Sequence, residues 1–253
     1  MNNDQPIGVL DSGVGGLTIW KEIVALLPRE STLYIADSKN CPYGVKSPEK
    51  IFQLSKKLVK FLLDKNCKLI VIACNTITVT CIDRLRSEFR GIPIVGTVPV
   101  VKTAAEKSRS KRIGIFSTPV TANSQYQRDL INKFARECEV TSEGSYELVS
   151  FIEKGNMDKV ELEKILKREL QVFLESYVDV LVLGCSHFPL VKKHIQKILG
   201  PRIQVLDSGG AVARQVKRIL LANNKLSTEK KPTHEFNSTG DSEKFLEMVK
   251  KFR

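Results

Sequence analysis

The chain has 253 residues, with 42% hydrophobic and 27% charged side chains, a balance that suits one large or two modest globular domains. Its opening Met-Asn-Asn-Asp-Gln-Pro lacks the basic-then-apolar pattern of a secretory signal. No apolar run reaches the ~20 residues of a membrane helix. A cytoplasmic protein with no membrane partner is expected. The net charge of +12 raises the question of nucleic acid. However, the basic residues are scattered: Lys56, Lys57 and Lys60, Lys107 to Arg112, Lys192 and Lys193, Lys230 and Lys231. Solvated helix faces and loops are the expectation, not a nucleic-acid footprint, and the charge helps attract a small dianion.

Ile7 to Leu10 reads as a strand, followed by the glycine-rich turn Asp11-Ser-Gly-Val-Gly-Gly16. Leu17, Trp20, Ile23, Val24 and Leu27 then recur at helical spacing up to Pro28. Thr32 to Ala36 is a second strand, and Asp37 to Lys46 is a loop carrying Cys41-Pro-Tyr-Gly44. A helix starts at Ser47-Pro48. The apolar run over 68–73 is a strand ending at Cys74-Asn-Thr76, and a helix to about Phe89 follows it. A short strand lies over 92–96.

The pattern then restarts. Ile7-Gly-Val-Leu-Asp-Ser-Gly13 has an echo in Ile113-Gly-Ile-Phe-Ser-Thr-Pro119, and the strand ending at Cys74 has one in Val180-Leu-Val-Leu-Gly-Cys185. Two motifs in the same order at nearly the same offset indicate two related halves. Val205-Leu-Asp-Ser-Gly209 is a third, shorter echo of the first strand. Between these lie a helix over 124–135, a strand over 139–142, a short element at Phe151 to Gly155, a helix over 158–175 and one starting near Pro189. A helix over 211–221, a polar connector to Pro232, and a last strand and helix complete the chain. Strands alternating with helices predict two pseudo-symmetric parallel-sheet α/β domains with the site at their interface. The expected division is 1–97 plus 208–253, with the tail returning to the first half, and 98–207 for the second domain.

Six cysteines, at 41, 67, 74, 81, 138 and 185, form no CxxC pair. In a reducing compartment disulfides are not expected. Cys185-x-His187 is the only close Cys/His pair, so no metal is expected. Cys67, Cys81 and Cys138 read as small buried hydrophobes. Cys74 and Cys185 differ, because each follows a doubly covered strand and precedes a helical stretch. That is the ligand-binding edge of open α/β sheets, where a helix N-terminus favours a thiolate.

The other polar residues leave more than one reading open. Asp11 can orient or deprotonate a thiol, hold a substrate ammonium, or simply cap the turn. His187 can act as a base toward Cys185, hold a carboxylate, or be an ordinary satisfied histidine. The glycine turn lacks the Gly-Lys-Ser/Thr of a Walker loop and suits a carboxylate better than a pyrophosphate. Tyr43-Gly44 either covers a site or forms a plain turn with an aromatic plug.

The stretches Ile7 to Thr18, Pro42-Tyr-Gly44, Ile72 to Thr76, Ile94-Val-Gly96, Leu183 to Leu190 and Thr239-Gly-Asp241 together resemble the glutamate racemases, cofactor-independent bacterial cell-wall enzymes of the aspartate/glutamate racemase family. The resemblance implies Cys74 and Cys185 as a catalytic pair, supported by Asp11, His187 and Glu153. It implies substrate contacts from Asp11, Ser12, Tyr43, Gly44, Asn75, Thr76, Thr118, Thr121, Ser186 and His187. L- and D-glutamate are the implied substrates, for peptidoglycan synthesis, with no cofactor and no metal. A homodimer and a secondary gyrase-inhibiting role stay open. The sequence departs from the family pattern at Ser186, where threonine is usual, at Cys41, where a larger residue is usual, and at Val120 and Ser150. The rival readings are a racemase for a related substrate, a nucleic-acid-associated regulator resting on the charge alone, and a phosphate-binding module that makes no use of the cysteines.

Overall fold

Strands that are apolar throughout need cover on both faces, and the two strands ending at the key cysteines have it. A computed structural model describes residues 3–155 and 158–252. Met1 and Asn2, which open the N-terminal stretch read above, lie outside the described residues. In the first half, β1 (Ile7–Asp11), β2 (Thr32–Ala36), β3 (Leu69–Ile72) and β4 (Ile94–Gly96) pair in parallel. In the second, β5 (Arg112–Ser117), β6 (Glu139–Gly144), β7 (Val180–Gly184) and β8 (Gln204–Leu206) do the same. β9 (His234–Ser238) returns and pairs in parallel with β2.

The strand orders are β4-β3-β1-β2-β9 and β6-β5-β7-β8. Read from its other end, the second sheet is β8-β7-β5-β6, which matches β4-β3-β1-β2 strand for strand. β5 is therefore the counterpart of β1, and β7 of β3. The third echo, Val205 to Gly209, starts in β8, the counterpart of β4, so its likeness to the first strand is a coincidence of composition.

Every residue of β1, β3 and β7 is buried. On one face of the first sheet, Ile7, Val9, Leu69 and Val71 join a core that runs through the helices Leu17–Leu26 and Gly209–Ala222 to Phe116, Leu181 and Leu183 of the second sheet. On the other face, Leu10, Ile35, Ile70 and Ile72 pack against the helices Pro48–Asp64 and Asn75–Glu88. The first core is thus shared by both halves.

Parallel register fixes which ends meet. Leu10 aligns with Ile72, and Asp11 with Ala36, so Asp11, Asp37 and Cys74 emerge at one edge. Ser117 aligns with Gly184, so Thr118 and Cys185 emerge at the matching edge of the second sheet.

A buried ion pair pins the polar connector to the opposite end of the first sheet. Lys68 Nζ lies 2.6 Å from Glu30 Oε2, with side-chain exposures of 0% and 2%. Lys68 also donates to the Lys225 carbonyl at 2.9 Å. Glu30 Oε1 accepts from Ser227 N at 2.8 Å. Removing one partner leaves a buried charge uncompensated. Lys68→Met should therefore lower the unfolding free energy in urea by about 3–5 kcal/mol, and Lys68→Met/Glu30→Leu should regain most of the loss.

Candidate active site

Thirteen residues line a narrow cavity where the two carboxyl edges meet. They include Ser12, Tyr43, Gly44, Cys74, Asn75 and Thr76 from the first half, and Thr118, Cys185, Ser186 and His187 from the second. Pro42, Tyr146 and Val149 complete the wall. The cavity volume is about 10 Å³, room for about one water, so an amino acid enters only when the walls move apart.

Of the expected site residues, Asp11, Thr121 and Glu153 are not in this wall. Each stands behind a residue that is. Thr121 Oγ1 bonds Thr118 Oγ1 at 3.1 Å. Thr76 Oγ1 lies 3.0 Å from Thr118 Oγ1, joining hydroxyls from the two halves. Glu153 Oε1 lies 2.5 Å from His187 Nε2. Asp11 Oδ1 accepts from Gly13 N at 2.9 Å, while the fully buried Oδ2 has no hydrogen-bond partner.

The two cysteines reach the cavity differently. Cys74 is the N-cap of the helix Asn75–Glu88, as its sequence position predicts. That helix end does not make it a resting thiolate. Burial pushes its thiol up to about 12, aided by the negative Asp11, and outweighs the Ile77 N–H and the Ser12 hydroxyl, which favour the anion. Ser12 Oγ is 3.6 Å from Cys74 Sγ. The helix expected from near Pro189 does not begin as an α-helix beside Cys185. Phe188–Val191 is a 3₁₀ turn, and the α-helix starts at Lys192. Cys185 instead has His187, with Nδ1 3.8 Å from Sγ.

Burial opposes charge on His187, but Cys185, Cys41 and Glu153 together raise its pKa well above 6.5. Burial likewise opposes charge on Glu153, yet His187 and the Val14 N–H hold its carboxyl below the usual range. The two therefore form an imidazolium–carboxylate pair at neutral pH. Asp11 is driven up to about 6, first by burial. Nearby His187, the Gly13 N–H and the Ser186 hydroxyl partly offset this.

The glycine turn has a purpose other than cradling a phosphate. Val14 N donates to Glu153 Oε1 at 2.8 Å, and Gly13 N to Asp11, so the anions these two groups hold are the protein's own carboxylates. A Cβ on Gly13 would stand 1.9 Å from Glu153 Oε1, and one on Gly15 would stand 2.5 Å from His187 Nδ1. These glycines let the second half approach the turn.

Sequence reasoning missed several participants. Asp37 accepts from the Tyr43 hydroxyl at 2.6 Å, fixing the aromatic ring in the wall. Its position just after β2, at the same edge as Asp11, was the available signal. Tyr146 and Val149 belong to a segment whose helix, Glu147–Lys154, starts earlier than the short element at Phe151 predicted. Cys41 joins Glu153 and His187 in a group whose donor atoms lie within 4.8 Å of one another. Nothing in the spacing of these three residues foretells that.

The comparisons with known proteins agree with this architecture. The family model described as Asp/Glu/Hydantoin racemase matches residues 7–216. The chain belongs to the Asp/Glu/hydantoin racemase family, and the protein is thus an enzyme of the isomerase class. Within that family, a glutamate racemase of Clostridium botulinum is 39% identical over 98% of this chain and 96% of its own. The crystal structure of a glutamate racemase isoform from Bacillus anthracis superposes with a TM-score of 0.92, at 31% identity, over 99% of this chain and 94% of that one. A Francisella tularensis glutamate racemase solved in complex with D-glutamate gives 0.87, at 34% identity, over 99% and 94%.

Two outcomes follow from the electrostatics and the packing. The Asp11 carboxyl has its pKa raised from 3.8 to about 6 in the folded state, so its ionisation opposes folding. That penalty is absent below pH 3.8, grows as pH rises and is complete above about 6. Asp11→Asn should be more stable than the parent at pH 7.5 by of the order of 3 kcal/mol, with the difference gone near pH 3.5 in thermal unfolding. Gly13→Ala should displace Glu153 and His187, reducing turnover by about 100-fold with little change in far-ultraviolet circular dichroism.

Proposed function

We propose that this protein interconverts L- and D-glutamate without a cofactor, with Cys74 and Cys185 as opposed acid and base, supplying D-glutamate for peptidoglycan in the cytoplasm. The observation that carries this reading is that two sulfurs from equivalent strand ends of the two halves line one cavity. Racemisation at Cα requires a proton to leave one face and another to arrive on the opposite face. Two groups fixed on opposite walls achieve this without turning the substrate over. The glutamate assignment, as against aspartate or hydantoin, is supported by the full-length relatives named above. In the same reading the domains divide as 1–97 plus 208–253 and 98–207, following the strand membership of the two sheets.

In the L-to-D direction, the Cys185 thiolate takes the α-proton while the Cys74 thiol gives its proton to the other face. The products are a Cys185 thiol and a Cys74 thiolate, and the next turnover in this direction needs those states exchanged. His187, positively charged and 3.8 Å from Cys185 Sγ, gives that sulfur a cationic neighbour and a proton exchanger. Glu153 keeps the imidazole protonated and oriented. Asp11, titrating near 6, serves Cys74 as a proton exchanger only, since its charge disfavours the thiolate. In reverse, Cys74 is the base and Cys185 the acid.

The α-proton is weakly acidic, so the developing carbanion needs fixed donors and an excluded solvent. Asn75 Nδ2 is buried without a hydrogen-bond partner and lines the cavity, so it is free to donate to a substrate carboxylate. Ser12, Thr76, Thr118 and Ser186 offer further hydroxyls from both halves, and the narrowness of the cavity keeps water out.

Purified protein incubated with L-glutamate and no added cofactor should bring its circular dichroism signal to zero. In D₂O, deuterium should appear at Cα of glutamate and not of aspartate. Cys74→Ser and Cys185→Ser should each lose at least ~10²–10⁴ in turnover. A flat signal with L-glutamate, or full turnover in both variants, refutes the reading. Supercoiling assays with Cys74→Ser separate any effect on DNA from catalysis.

A further inference from the structure

Cys41, Glu153 and His187 come from three places in the chain: the loop after β2, the helix Glu147–Lys154 and the turn after β7. Their donor atoms converge within 4.8 Å of one another. A thiol, a carboxylate and an imidazole make a nitrogen–oxygen–sulfur set typical of zinc-class cations. With bond lengths of about 2.0–2.3 Å, two donors of a tetrahedral zinc stand roughly 3–4 Å apart. Glu153 and His187, now 2.5 Å apart, need to separate by only about 1 Å on that geometry.

The supporting shell and the access route are both present. Glu153 Oε1 is held by Val14 N, and His187 presents Nε2 to the group while Nδ1 faces Cys185. A surface pocket of about 240 Å³, lined by Cys41 and Glu153 together with Lys39, Asp241 and Lys244, opens onto the group from outside. Neither Cys41 nor Glu153 lines the substrate cavity, so a cation can arrive without crossing it, and a water from the outer pocket can take the fourth position.

We propose that Cys41 Sγ, a Glu153 oxygen and His187 Nε2 form a binding site for one zinc-class divalent cation that clamps the two halves together and slows turnover. Binding exchanges protons for metal: the Cys41 thiol and the His187 Nε2 each release one to solvent, and the cation forms bonds to sulfur, nitrogen and oxygen in their place. No electrons move. The clamp follows from position, because Cys41 belongs to the loop leaving the first sheet while Glu153 and His187 belong to the second half. A cavity of about 10 Å³ must open to admit an amino acid, and a metal bridging the halves holds it shut. The inhibitory part rests on the racemase reading, and the binding part does not.

Cobalt(II) titration of the full chain tests binding, through the near-ultraviolet thiolate-to-cobalt charge-transfer band. The proposal expects saturation at one equivalent, with the band kept in a Cys74→Ser/Cys185→Ser variant and lost in Cys41→Ser. In the unaltered protein, zinc should protect Cys41 from alkylation at least tenfold while leaving Cys138 unprotected, a readout that needs no variant to fold. Saturating zinc should slow turnover at least tenfold, reversibly on chelation, and much less in Cys41→Ser. No saturable binding, a band that survives Cys41→Ser, or unprotected Cys41 overturns the site. Binding at Cys41 with undiminished turnover overturns the clamp. Absence of turnover before any zinc is added counts against the racemase reading and leaves the binding result standing.

Discussion

One carboxylate joins the halves at their most critical point. Glu153, from the second half, accepts the Val14 N–H of the first and bonds His187 beside Cys185. Its position explains the glycines of the first turn, because a side chain at Gly13 would occupy the space of its carboxyl group. It also explains how a fully buried imidazole stays cationic. Desolvation alone would drive the proton off, but an adjacent anion and two thiol neighbours reverse the sign.

The pseudo-symmetry of the sheets does not extend to the chemistry around the two sulfurs. Cys74 sits at a helix N-terminus beside Ser12 and Asp11, in surroundings that favour the thiol. Cys185 has no such helix end and faces a charged histidine instead. A duplicated backbone therefore places its two sulfurs in different surroundings, one beside a carboxyl group and a hydroxyl and the other beside an imidazolium. The asymmetry lies in the side chains, and the symmetry in the parallel register that brings both strand ends to one cavity.

The alternation of strand and helix, the two-half plan and the return of the tail were legible because β-branched apolar runs with turn residues between them leave few other folds. The helix Val101–Lys107 was not. It has only seven residues and buries just Val101, Ala104 and Ala105, too short a stripe to stand out before a run of lysines and arginines. Pro189 was read as a helix start, but it is the second residue of the 3₁₀ turn Phe188–Val191, and the α-helix starts only at Lys192. At the site, residues adjacent to strand ends were readable from position. Asp37 was readable by the same rule and was overlooked, whereas the place of Tyr146 in the wall and the meeting of Cys41 with Glu153 and His187 were not, since only the packing of one half on the other creates them. The expectation of a thiolate at Cys74 misjudged a magnitude: a helix end is worth less than the removal of the sulfur from water.

The tail's return has a consequence for synthesis. β2 is flanked by β1 on one side and by β9 on the other, and β9 lies some 200 residues further along the chain. A nascent polypeptide can complete the whole second sheet while β2 still presents bare amide and carbonyl groups to its surroundings. Throughout translation of the intervening residues that rim can be captured by another extended chain. A chain that ends before residue 234 keeps that rim bare and is prone to aggregate.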